Sequence, residues 1–326
     1  MNSSRLANLE HIEQLPQLQQ VQLAYNQIKE LPQGIGQLSE LKLLDLGHNR
    51  IKKLPDAVGQ MASLETLILN GNQLKSLPSS IGELHQLQHL ALLFNKVAHL
   101  PHKIGQLKSL EKLELNGNQI RKLPEEMAAL KNLKELQVRD NCLTDLQPTI
   151  GELSQLQIFN LGDNDIKTLP SSIGQLQHLE VLDLSSNYLE KLPPEIGQLG
   201  TLQELVLDEN PDLDFTQTFM HLQPLRQLAK LRLSNNQLKE LPLPLTRLKS
   251  LQTLGLNFNY LTKLPSEIAQ LTHLQELDLS HNNLEDLPES IQQLKTLKEL
   301  ILWGNPIEKP TQQKIKEWMP YCEVKV

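Results

Sequence analysis

Cysteine is nearly absent from this chain, which carries only Cys142 and Cys322 in 326 residues. Secreted repeat-built proteins close their ends with cysteine clusters, and two distant thiols cannot do that, so the expectation is a reducing compartment. Aromatic residues make up only 3% against 39% hydrophobic content, so the core must be aliphatic. Excess basic charge is missing too: the net charge is −7 and the pI about 5.8. Nucleic-acid binders usually carry a basic field. No Lys/Arg-rich run and no stacking row of aromatics is expected to offset its absence, so no nucleic-acid partner is expected. No apolar run approaches the roughly 18 residues of a membrane span, because polar residues interrupt every few positions. Met1-Asn2-Ser3-Ser4-Arg5-Leu6 contains no apolar stretch of signal-peptide length. Asn2-Ser3-Ser4 is a formal glycosylation sequon that means little without a secretion signal. The chain reads as soluble and cytoplasmic, the alternative being an effector exported without a classical signal peptide.

Periodicity is what the sequence has in abundance. The pattern Leu-x-x-Leu-x-Leu-x-x-Asn begins at Leu18, Val21, Leu23 and Asn26 and returns at Leu41, Leu44, Leu46 and Asn49. Its asparagine recurs at Asn72, Asn95, Asn118, Asn141, Asn164, Asn187, Asn210, Asn236, Asn259, Asn282 and Asn305, making thirteen copies. Every step is 23 residues except Asn210 to Asn236, which is 26. The second half is equally regular, reading Leu-Pro-x-x-Ile-Gly-x-Leu at residues 31–38, 77–84, 100–107, 169–176 and 192–199. Leu9, Ile12 and Leu15 fill the apolar slots of a preceding half-copy. The expected layout is a partial repeat or cap over 1–17, thirteen repeats over 18–305, and a cap over 306–326.

The alternation x-Leu-x-Leu-x predicts a short strand with one buried face. Burying each leucine stabilises by roughly 1.5–3 kcal/mol, but one copy cannot bury its own face, so neighbours must stack. Proline fixes φ and lacks an N–H, which ends the strand side and starts the return path. Glycine after isoleucine is expected to permit a tight turn there. The asparagine amide is expected to pair with backbone groups of its own and the adjacent coil, a ladder along the stack.

With these motifs the chain resembles the leucine-rich-repeat superfamily, in its 23-residue Leu-Pro-x-x-Ile-Gly-x-Leu subtype. Similar units occur in Ras-group leucine-rich-repeat proteins, in Roco-type GTPases and in many bacterial proteins. The resemblance covers about residues 8–310. It implies an α/β fold: a right-handed horseshoe solenoid whose concave parallel sheet has about thirteen strands, with short helical or 3-10 segments on the convex side. It also implies protein binding as the general role, without implying Ras itself.

The register breaks over residues 211–225. Phe215, Phe219 and Leu222 fall at helical spacing, predicting a convex helix with Asp214 or Thr216 as N-cap, packed against its own coil. At Leu146-Gln147-Pro148 the proline shifts one place. After Asn305 the pattern ends: residues 311–319 read as an amphipathic helix with Ile315 and Trp318 on one side, and 321–326 alternate like a strand. Cys322 then reads as a small core residue of the cap.

Catalytic chemistry needs a convergent set of groups, and none emerges. His85 and His89 are four apart but fall on different segments, and His99 and His102 straddle Leu100-Pro101 without a cysteine nearby. No Gly-x-x-x-x-Gly-Lys-Ser/Thr loop and no zinc spacing occurs, so no enzyme, cofactor or metal is expected. Cys142, directly after a ladder asparagine, is the residue an alternative cysteine-dependent activity would need.

The variable strand positions are where partners should bind. Leu43, Ile68, His89, Ala91, Leu93 and Phe94 form a cluster expected to face outward on adjacent strands, and apolar clusters on such a face mark interaction sites. Asp163, Asp183, Glu204, Asp208 and Glu209 form an outward acidic band that ends at Lys230 and Arg232. Ile301 and Trp303 face out by register, with Trp303 expected to pack under the C-terminal cap. The sequence therefore predicts a non-catalytic scaffold for a protein or peptide, anchored on Leu93 and Phe94. A bacterial effector or signalling subunit using the same face is the alternative. The chain reads as a monomer, with dimerisation through the apolar cluster the other possibility.

Overall fold

The computed structural model describes Ala7 and residues 9–326, so the Asn2-Ser3-Ser4 sequon lies outside the described residues. Contacts divide the chain into two units, Met1–Asp165 and Ile166–Val326. Each is built the same way. One sequence copy makes one coil: a three-residue strand, a sharp turn, a return segment and a 3-10 helix.

The first unit holds β1 (Gln20–Gln22), β2 (Leu43–Asp45), β3 (Thr66–Ile68), β4 (His89–Ala91), β5 (Lys112–Glu114), β6 (Glu135–Gln137) and β7 (Ile158–Asn160). The second holds β8 (Val181–Asp183), β9 (Glu204–Val206), β10 (Lys230–Arg232), β11 (Thr253–Gly255), β12 (Glu276–Asp278), β13 (Glu299–Ile301) and β14 (Glu323–Lys325). Within each unit consecutive strands pair in parallel, as the repeat requires, because every coil returns the chain in the same direction. The pairing keeps the sequence register: Val21 lies beside Leu44, and Leu90 beside Leu113. The strand β14 extends the expected thirteen by one, through the alternating segment already visible around Val324.

The alternating leucines are buried completely at most coils, among them Leu44, Leu90, Leu136, Leu182 and Leu277. Behind them the proline caps a 3-10 helix. Pro101 (φ −68°, ψ 147°) precedes His102–Gln106, and the same arrangement recurs from coil to coil. Where Pro148 shifts one place it becomes the first helical residue, a position whose N–H has no helical partner to lose.

The glycine after isoleucine has a different role from the one its sequence position suggested. Its φ is not positive. It is small because the next coil passes close by: a Cβ on Gly105 would sit 2.2 Å from the carbonyl oxygen of Glu126. Glycine here sets the distance between coils, not the turn.

The asparagine ladder is present as expected. Asn118 donates to the carbonyls of Leu115 (2.8 Å) and Leu92 (2.9 Å), and accepts from the Val97 N–H (2.9 Å). Asn49, Asn72, Asn95, Asn259 and Asn282 repeat this arrangement. Asn141 and Asn305 sit in the same positions but are only half-buried.

At the irregular step, α1 (Phe215–Leu222) forms with Asp214 as its N-cap, accepting from the Gln217 N–H at 3.0 Å. Phe219 and Leu222 are wholly buried. Longer spacing moves the ladder contact: Asn236 accepts from the Asn210 N–H at 2.6 Å. The chain then closes with α2 (Lys309–Trp318), slightly earlier than expected, which buries Ile315. Cys322 is half-buried rather than a core residue. Burial, then the carboxylates of Glu299 and Glu323, pushes its thiol up to about 11, so it stays protonated at neutral pH.

Candidate functional site

Side chains at the first and third residues of each strand stand on the open face of the sheet. In the first unit, β2 to β4 place Leu43 and Ile68 there, both partly exposed. Beyond β4, Leu93 is half-exposed and Phe94 is 63% exposed. Ala91 faces the same way but is 1% exposed: it lies in register between Ile68 and Glu114, whose longer side chains cover its single methyl. The apolar cluster is therefore Leu43, Ile68, Leu93 and Phe94.

Charge borders this cluster on one side. His89 Nε2 lies 2.6 Å from Glu114, Lys112 lies 3.2 Å from Glu114 and 3.3 Å from Glu135. The hydrogen bond from His89, then Lys112, holds the Glu114 carboxyl below its usual value, although burial opposes this. Lys112 is raised despite the opposing effect of burial, because Glu114 and Glu135 favour its charged form. The chain of alternating charges fixes these side chains beside the apolar residues.

The acidic band is largely engaged within the protein. In the first unit Asp163 forms an ion pair with Arg139. In the second, Glu204 meets Lys230 at 3.6 Å and Asp208 meets Arg232 at 3.0 Å. Glu209 accepts from the Ser186 hydroxyl at 3.1 Å, and Asp183 from the Ser185 N–H at 2.9 Å. Asp208, expected to face out, is buried: it accepts from the Ser234 N–H at 2.6 Å. Burial raises its carboxyl, against the lowering effects of that bond and Arg232. Asn70 and Asn116 do the same for the N–H groups of Leu93 and Arg139. These side chains form a second ladder, which sequence reading missed although polar residues recur two places before the ladder asparagine.

Aromatic rings form short rows, contrary to the expectation that none would be present. The residue before each ladder asparagine adopts the left-handed conformation, including Tyr25, Phe94 and Phe258, for which it is sterically unfavourable. Each ring lies over the equivalent residue of the next coil. Tyr25 stacks on His48 at 4.4 Å and Phe258 on His281 at 4.3 Å. Where a glycine follows, the ring occupies its Cβ space: a Cβ on Gly117 would lie 2.6 Å from the Phe94 ring. Gly117 also has φ +68°. Gly117→Ala should therefore cost about 1–2 kcal/mol from backbone conformation alone, with a further loss from displacing Phe94. Urea unfolding measures the total; if Phe94→Ala in the same chain recovers none of it, the ring contact is not responsible.

Trp303 does not pack under the cap. It is 52% exposed and meets His281 edge-on at 4.9 Å. His102, beside Leu100-Pro101, pairs with Glu126 at 2.9 Å on the return path, away from the strands. Among the described residues no group of three or more His, Cys, Asp or Glu side chains could hold a metal ion. No helix among them is long and apolar enough to cross a membrane.

A family model described as a leucine-rich repeat region matches residues 1–95, 79–157 and 144–251, and a leucine-rich-repeat model matches 249–307. The chain belongs to the leucine-rich-repeat family. A leucine-rich-repeat protein of Leptospira interrogans is 34% identical, with a TM-score of 0.78 over 100% of this chain and 94% of that one. The plant peptide hormone receptor RGFR1, solved in complex with RGF2, is 26% identical with a TM-score of 0.68, and the match covers 92% of this chain and 54% of the receptor's. TLR13, solved as a complex with ssRNA13, is 28% identical with a TM-score of 0.77, covering 98% of this chain and 52% of that one. This leucine-rich-repeat chain thus spans about half the length of those two receptor chains. Comparison with curated proteins gave no match.

Proposed function

We propose that this leucine-rich-repeat protein is a non-catalytic scaffold that holds a protein or peptide on the open face of its sheet. The anchors are Leu43, Ile68, Leu93 and Phe94. The observation that carries this reading is their exposure on three successive coils, with Phe94 63% exposed, beside the fixed charges of His89, Glu114 and Lys112. Apolar anchors with a polar border are the usual anatomy of an interface. The plant receptor solved with RGF2 supports the same use of the fold. The internal ion pairs of Glu204, Asp208 and Asp163 make the acidic band the weaker choice.

Thirteen repeats over 18–305 belong to the 23-residue subtype, as the ladder spacing indicates. A reducing, cytoplasmic setting fits the two free cysteines, Cys142 and Cys322.

Affinity capture from the source organism, followed by calorimetric titration of the purified captured protein, tests the reading. Leu93→Asp/Phe94→Asp should weaken binding at least tenfold, about 1.4 kcal/mol, while circular dichroism stays unchanged. A partner that binds the double variant as tightly as wild type would falsify the site. Failure to capture any partner would count against the scaffold reading itself.

A further inference from the structure

The second unit carries an exposed surface of different chemistry. Phe258 and Trp303 are 54% and 52% exposed, with His281 between them at 4.3 Å from the first ring and 4.9 Å from the second. The three rings make a corner, two faces parallel and one edge-on. Its neighbours on the open face are acidic. Glu276 and Asp278 lie on β12 and enter no ion pair among the described residues. Asp278 pairs in register with Ile301, two residues before Trp303, so carboxylate and indole share one face. At strand spacing this separates their backbones by about 8 Å, a gap that one long side chain can bridge.

The balance of charge decides what fits. From β11 to β14 the open face presents Glu276, Asp278, Glu299 and Glu323, against a single cation, Lys325. Lys325 is already paired with Glu299 and Glu323. Polyanions are repelled by this surface, and a neutral apolar segment would cover Glu276 and Asp278 without supplying either with an ion-pair partner, Glu276 being reached only by the longer-range field of Lys325. A cation meets both features: aromatic faces attract it, and the carboxylates neutralise it. The chain itself makes this type of contact elsewhere, where Lys314 Nζ stands 4.4 Å from the centre of the Trp318 ring.

We propose that the Phe258–His281–Trp303 corner, with Glu276 and Asp278, seats an arginine or lysine side chain of an extended polypeptide partner. Arginine suits it better, because its planar guanidinium can stack on a ring while its N–H groups reach a carboxylate. One oxygen of Asp278 accepts from the Ser280 N–H and hydroxyl at 2.9 and 2.7 Å, which fixes the carboxylate and leaves its other oxygen for the ligand. The site is independent of the apolar cluster on the first unit, and either proposal can fail alone.

The probe is a nine-residue peptide alternating glycine and arginine, with a glycine–glutamate peptide as its control. In a Trp318→Phe background, fluorescence reports Trp303 alone. The arginine peptide should change that emission and the glutamate peptide should not. Asp278→Asn, which keeps the oxygen bonded to Ser280, should weaken binding at least tenfold. Glu240→Gln removes the same charge from an exposed position outside the strands and should leave binding within about twofold. By calorimetry, Trp303→Ala should also lose at least tenfold. Equal weakening by Glu240→Gln and Asp278→Asn would reduce the effect to net charge and overturn the proposal. So would the absence of any response to the arginine peptide.

Discussion

Phe219→Ala should destabilise the second unit by about 3–5 kcal/mol, the range for truncating a buried aromatic. Phe219 is wholly buried and touches Phe215, with ring centres 5.8 Å apart. Its helix replaces a 3-10 segment and packs between the 3-10 helices Pro194–Gln198 and Leu243–Arg247. The helix is held closely: a Cβ on Gly197 would lie 2.5 Å from the His221 carbonyl, so the backbone has little freedom to move into a cavity. Incomplete collapse is what makes such truncations expensive. Chemical denaturation gives the total loss, and hydrogen exchange should locate it around residues 190–250. A loss below about 1 kcal/mol would mean that the helix lies loosely on the coil and does not form part of the core.

Asn118→Ala should cost about 1–3 kcal/mol, because it leaves buried backbone groups without partners. The amide serves the carbonyls of Leu92 and Leu115 and the N–H of Val97, and the residue is only 8% exposed. Two of these groups belong to the preceding coil, so the substitution weakens the interface between coils as well as its own turn. Asn118→Asp separates the contributions: it keeps the acceptor for Val97 but replaces the donor with a charge facing two carbonyls. The aspartate variant should therefore be at least as unstable as the alanine variant. A midpoint equal to wild type for both would remove the ladder from the account of stability.

Much of this was legible in the sequence, for a simple reason. A repeat forces each position into the same surroundings thirteen times, so the pattern at Leu90 or Asn95 could be read from all its equivalents. The helix at Phe215–Leu222 and its cap Asp214 could be read too, because helical spacing stands out where the register lapses. Less legible were positions whose exposure depends on what the adjacent coil carries. Ala91 faces out but is covered by its neighbours, and Asp208 faces out but turns down onto Ser234. Trp303 reads as part of the cap from sequence alone because its distance from His281 is not a feature of its own repeat. Aromatic or glycine residues before the ladder asparagine were a usable signal for the rows of rings, visible in Tyr25, His48, Gly71, Phe94 and Gly117.

The sequence by itself determined the coil: its strand, its proline-capped return, its asparagine ladder, and the residues that point inward. These follow from the chain's own periodicity, since burial of leucine and pairing of backbone groups act within one coil and its immediate copy. Tertiary structure decided which outward residues are available. Stacking sets side chains 23 positions apart against one another, so whether a charge is paired, a methyl covered or a ring exposed depends on the particular neighbour each coil supplies. Side-chain contacts across coils, not the repeat itself, left Phe94 and the rings of Phe258 and Trp303 more than half exposed.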